Sequence, residues 1–128
     1  MKYLIWIIIS LVLVSCNSSI KPELLYGRWH YVKVEYLNNP EAKAMDAQEV
    51  AANKPYIEFS RNGDLIMVWN GKVLSHGKYT IADNLIRYQE ILDGGRIREF
   101  PFLVQKLTPD ELVFQNMEQQ STRVTAKK

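Results

Sequence analysis

Two histidines, His30 and His76, and one cysteine, Cys16, are the side chains in this 128-residue sequence best suited to hold a metal or attack an electrophile. Neither histidine sits in a His-Glu-x-x-His arrangement, and the cysteine stands far from both, so no metal-ligand spacing is present. No Gly-x-Ser-x-Gly turn occurs, which leaves no serine presented as a nucleophile. Asp110 and Glu111 fall in a turn and the other glutamates are scattered, so no carboxylate pair is poised for acid–base work. Gly94-Gly95 is followed by no helix and reads as a hairpin turn, not a phosphate loop. The expectation is a protein without metal, cofactor or catalytic centre.

Binding chemistry has more to build on. Arg96 and Arg98 share a strand face with Phe100 and Phe102 if no bulge intervenes. An inward Arg98 would then meet an anionic head group such as a carboxylate; the alternative puts both arginines at the strand's solvated end. Residues 65–69, Leu-Ile-Met-Val-Trp, are apolar on both faces. One face fills a core, and the other is covered by the chain itself, a partner or a membrane.

The N-terminus sets where any of this takes place. Met1-Lys2 gives a short positive start, and residues 3–14 are apolar except for Ser10. As a helix this run spans about 18 Å, short of the roughly 30 Å of a bilayer core, and it fits a signal-peptide core. The run ends in Leu13-Val14-Ser15-Cys16, which resembles the bacterial lipobox. That resemblance implies cleavage before Cys16 and acylation of its thiol with diacylglycerol and palmitate-type chains. Cys16 is the sole cysteine and has no disulfide partner. One acyl chain anchors marginally and two or more anchor stably. Asn17, in place of aspartate, matches the Gram-negative sorting pattern for the outer membrane, and no acidic cluster follows it, which points to the periplasmic face. Residues 16–23 form the lipidated tether, whose polar stretch from Asn17 reaches about 25 Å when extended.

Removing residues 1–15 leaves about 113 of the 128 residues, enough for one domain with one core, 24–128. The 16 basic and 14 acidic residues nearly balance, and no basic stripe recommends nucleic acid as a partner. Residues 24–37 read as a first strand. Asn39 and Pro40 then suit a helix cap and first helical position, and 41–52 is rich in helix formers, with Pro55 closing it. From Tyr56 the chain alternates in short runs separated by Asn62-Gly63, Asn70-Gly71, 82–84, 93–95 and 108–111. Asn-Gly supplies the positive φ angles of a tight hairpin. A bulge is expected near Pro101, which cannot donate to a ladder. The count is about eight strands with one long connection. This is an all-β, up-and-down antiparallel β-barrel with a short helix in the first loop, or an open sandwich of the same strands.

In Gly27-Arg28-Trp29 the chain resembles the lipocalin-like lipoproteins of Gram-negative bacteria, whose first strand opens on Gly-x-Trp. Gly77-Lys78-Tyr79-Thr80-Ile81 and residues 107–113 resemble the same group. The resemblance implies that Gly27 and Trp29 close one barrel end, with Arg123 lying across the Trp29 ring in a cation–π contact. It also implies a first loop covering the open end, so the 41–52 helix is either a lid or a surface bridge. The chain departs from disulfide-bonded lipocalins in having no cystine and fewer residues. An eight-stranded barrel is just wide enough for side chains to fill it, so the interior is either hollow or packed.

Two functions follow. A binding module would hold a small lipophilic ligand against Trp29, Phe59, Met67, Tyr79, Arg98 and Phe102 near the membrane. A filled barrel would instead be a structural or interaction protein that binds another envelope protein.

Overall fold

The computed structural model describes residues 20–39, 41–118 and 121–128. The apolar signal segment and Cys16 lie outside the described residues. Eight strands form one closed barrel in chain order: β1 Gly27–Tyr36, β2 Tyr56–Phe59, β3 Asp64–Trp69, β4 Lys72–Ala82, β5 Leu85–Ile91, β6 Ile97–Leu107, β7 Glu111–Asn116 and β8 Thr122–Lys127. Every neighbouring pair is antiparallel, and β8 returns to β1, so no edge is left for another chain to extend. The closed barrel replaces the open-sandwich alternative.

Turn chemistry fixes the hairpins. Asn70 and Gly71 both take positive φ, 51° and 74°, the two-residue form that matches strand twist. At Asn62-Gly63 only Gly63 is positive, at 92°. There the Ser60 hydroxyl and the Asn62 side-chain oxygen both accept from the Asp64 amide, and the turn is longer. The expected bulge at Pro101 is absent: Pro101 pairs regularly with Arg87. β7 begins pairing with β6 only at Phe102, so Pro101 lies where β6 has a ladder on one side and its missing N–H costs little. The bulges fall instead at Tyr31/Lys33, Met67/Val68 and Val104/Lys106.

The first-loop helix is shorter than the 41–52 expected. α2 spans Ala47–Asn53, with the Asp46 side chain accepting from the Gln48 amide as its cap. Asn39 does accept from the Glu41 and Ala42 amides, but a turn follows. Residues 43–45 then run along β1: Tyr36 N bonds Lys43 O and Met45 N bonds Val34 O, each at 2.9 Å. Backbone donors used in that way cannot also make a helix. Only Val50 of α2 is buried.

Packing begins earlier than Leu24. Ile20 is buried in the core and its amide donates to Asp83 O at 2.9 Å. A four-residue helix, α1, covers Pro22–Leu25 and buries Leu25 completely. The start of β1, the β2–β3, β4–β5 and β6–β7 turns and the end of β8 therefore form a plugged end. The other end carries α2 and the β3–β4, β5–β6 and β7–β8 turns, and is the mouth.

Candidate functional site

Strand parity decides what faces inward. Tyr79 pairs with Tyr88, Ile81 with Ile86 and Gly77 with Glu90, so Ile86, Tyr88 and Glu90 form one inward row on β5. Phe102, Phe100 and Arg98 stand opposite them on β6. At the plugged end this interior is solid. Trp29 is fully buried, donates its indole N–H to Leu25 O at 2.8 Å and packs in one cluster with Phe59, Leu65, Tyr79, Ile86 and Leu112. Phe59 and Tyr79 meet edge to face at 5.2 Å. The Tyr79 hydroxyl donates to Ser60 O at 2.6 Å, and burial pushes its pKa up to about 12.

The middle is crossed by a chain of rings. Tyr31 meets Phe114 at 6.1 Å, Phe114 meets Phe102 at 5.5 Å, and Phe102 meets Phe100 and Tyr88 at 5.3 and 5.9 Å. Ring pairs at these spacings are favourable contacts in their own right. Phe59, Tyr79 and Phe102, expected to line a pocket, are instead buried packing residues. Met67 and Arg98 do lie toward the mouth, and Met67, Met45, Tyr36 and Phe100 are only partly buried there.

The Trp29 ring has a cation on it, but not the one expected. Lys128 Nζ lies 4.7 Å from the ring and 3.4 Å from Leu24 O. Arg123 faces outward and donates through Nε and Nη2 to both Glu35 carboxylate oxygens, at 3.2 and 2.9 Å. That fork holds the Glu35 carboxyl below its ordinary value. The cause is register: Arg123 pairs with Glu35 near the mouth end of β1, while Lys128 follows the end of β8, beside the plug.

The mouth holds a polar cluster that the sequence reading passed over. Glu90 is the one buried charged residue among the described residues. Its Oε2 accepts from the Ser75 hydroxyl, and Ser75 Oγ is 2.5 Å from the Tyr88 hydroxyl. Because the single Ser75 proton goes to Glu90, the Tyr88 phenol is the donor to Ser75. Burial raises the Tyr88 pKa, which keeps that proton in place. Arg98 Nη2 lies 2.8 Å from Glu90 Oε1 and its guanidinium is 5.1 Å from the Phe100 ring. Period-two alternation in Ile86-Arg87-Tyr88-Gln89-Glu90 carried the signal: Glu90 falls in the apolar row.

The remaining candidates are dispersed. His30 packs edge-on against Tyr56 at 5.9 Å, and His76 pairs with Ile66 on the outer face. A groove of about 500 Å³ runs beside the first loop between Glu35 and Lys43, but Glu35 is already held by Arg123. Among the described residues no three His, Cys, Asp or Glu side chains converge.

No protein-family model matches the sequence, and no curated protein matches it. Solved structures do match its fold. A lipocalin-like protein from Bacteroides uniformis ATCC 8492 superposes with a TM-score of 0.56 at 13% identity, over 82% of this chain and 99% of that one. An uncharacterized protein from Bacteroides eggerthii DSM 20697 gives 0.54 at 15% identity, over 81% and 99%. The fold is lipocalin-like.

Proposed function

We propose that this chain is a non-catalytic, lipid-anchored binding protein of the cell envelope, held by acyl chains on Cys16 to the outer membrane facing the periplasm, with a small amphiphile as ligand at the barrel mouth. The observation that carries the binding reading is Glu90. Its carboxylate is buried at the mouth, with Oε2 taken by Ser75 and Oε1 paired in charge with Arg98 at 2.8 Å but without an aligned hydrogen bond, near partly buried Phe100 and Met67. Buried acceptors are ordinarily satisfied, and a ligand group is one way to satisfy this one. The packed middle and plugged end restrict the ligand to the mouth.

Only Asn17, Ser18 and Ser19 separate Cys16 from the buried Ile20, a reach of about 10 Å. Ile20 bonds Asp83 at the plugged end, so the plug faces the leaflet and the mouth faces away from it. The expected result is a mature protein, recovered from membranes, whose intact mass begins at Cys16 with three acyl chains. Cys16→Ser should accumulate full-length, unprocessed chain. A mature protein with a free thiol at Cys16 would contradict the anchor.

A second reading, a packed barrel that docks on another envelope protein, is favoured by Val73 and Leu74 on β4 and Ile97 on β6, which are 57%, 66% and 65% exposed near the mouth on either side of β5. Crosslinking in the native envelope separates the two: loss of an adduct in Leu74→Asp supports docking.

A further inference from the structure

The head group that the mouth would accept follows from the chemistry around Glu90, and the inference rests on the binding reading above. Oε2 is occupied by the Ser75 hydroxyl. Oε1 is buried and has no hydrogen-bond donor aimed at it, although Arg98 Nη2 lies 2.8 Å away. Arg98 therefore neutralises the charge without aligning an N–H on the oxygen. Its side chain is 58% exposed against 10% for Glu90, so the guanidinium is the outer partner of the pair. It rests on the Phe100 ring, which forms an apolar shelf below it.

A group entering between them meets an acceptor on the inside and a fork of donors on the outside. A carboxylate offers only acceptors and adds a second negative charge beside Glu90. An ammonium satisfies Glu90 but stands against Arg98. A hydroxyl or amide head group supplies a donor for Oε1 and an acceptor for Arg98, with no net charge to desolvate. We infer that the mouth selects uncharged amphiphiles whose head group carries both a donor and an acceptor, and discriminates against fatty carboxylates.

Every described residue of the barrel and plug lies beyond Ser19, so a chain beginning at Asn17 keeps the whole domain. Calorimetric titration of that chain with 1-monolaurin, laurate and dodecylamine, each below self-association, compares the three head groups on one tail. The expected result is that monolaurin binds at least about tenfold tighter than either charged ligand. Glu90→Gln removes the negative charge while keeping shape, frees Arg98, and should reverse the order so that laurate binds tightest. Arg98→Met leaves Glu90 unopposed and should favour dodecylamine. Laurate binding wild type as tightly as monolaurin, or an order unchanged in both variants, overturns the inference while the binding reading stands. Failure of all three ligands to bind overturns both.

Discussion

Trp29→Ala will destabilise the domain by about 3–5 kcal/mol, the range for removing a fully buried large aromatic. The indole is completely buried, its N–H is spent on Leu25 O, and Lys128 lies over its face. Removing it opens a cavity at the plugged end and leaves a buried carbonyl without its donor. A domain of this size has about 5–15 kcal/mol in total, so the loss is a large fraction, and the midpoint in urea should fall accordingly at unchanged slope. Trp29→Phe should cost less, because a ring still fills most of the space. Arg123→Ala should cost under about 1 kcal/mol, since its partner is a part-exposed carboxylate on the outer face. If Trp29→Ala cost no more than Arg123→Ala, the plug would not be the stabilising centre of this end.

Gly77→Val will be as damaging for a different reason. Gly77 has ordinary negative-φ backbone, so conformational freedom is not the issue. A Cβ built there would overlap the Gln89 carbonyl oxygen and press on Glu90 Cα. Both are backbone atoms of β5, which cannot rotate aside. The absent side chain lets β4 and β5 approach closely as the barrel coils. Accommodating Val means separating the strands, and overpacking typically costs about 1–3 kcal/mol even where side chains can yield. The expected result is a loss of about 3 kcal/mol or more, with Gly77→Ala already losing most of it. Because Glu90 sits opposite, the same variants should also weaken binding at the mouth. Wild-type stability in Gly77→Ala would show that the strands separate freely there.

The strands were legible because each is bounded by turn residues whose backbone preferences are local: Asn70-Gly71, Gly63 and Gly94-Gly95 act without help from the rest of the chain. The barrel-closing role of Trp29 was implied only by the Gly-x-Trp resemblance; its place at the start of the first strand was legible. What covers it was not. Ile20 and α1 form a plug of one turn, too short to show a period, and its worth lies in distant contacts such as Ile20 with Asp83. The cation on Trp29 turns on where β8 ends against β1, which sequence spacing does not encode, so Lys128 lies over the ring in place of Arg123. Bulges at Val32, Leu74 and Gln105 are relations between two strands and leave no mark in either one. Phe59, Tyr79 and Phe102 were legible as inward residues, but an inward ring lines a cavity or fills it depending on its neighbours. Glu90 was not singled out, although period-two parity puts it in the apolar row, and its meaning came only with Ser75 and Arg98 around it.

A ligand site at the barrel mouth can be located by amide chemical-shift mapping of the chain beginning at Asn17 during titration with 1-monolaurin. Saturable shifts are expected at Ser75, Glu90, Arg98 and Phe100, with Leu25, Trp29 and Phe59 at the plugged end unmoved. Shifts confined to the plug or to the outer face around Leu74 and Ile97, or no saturable shifts, would contradict it.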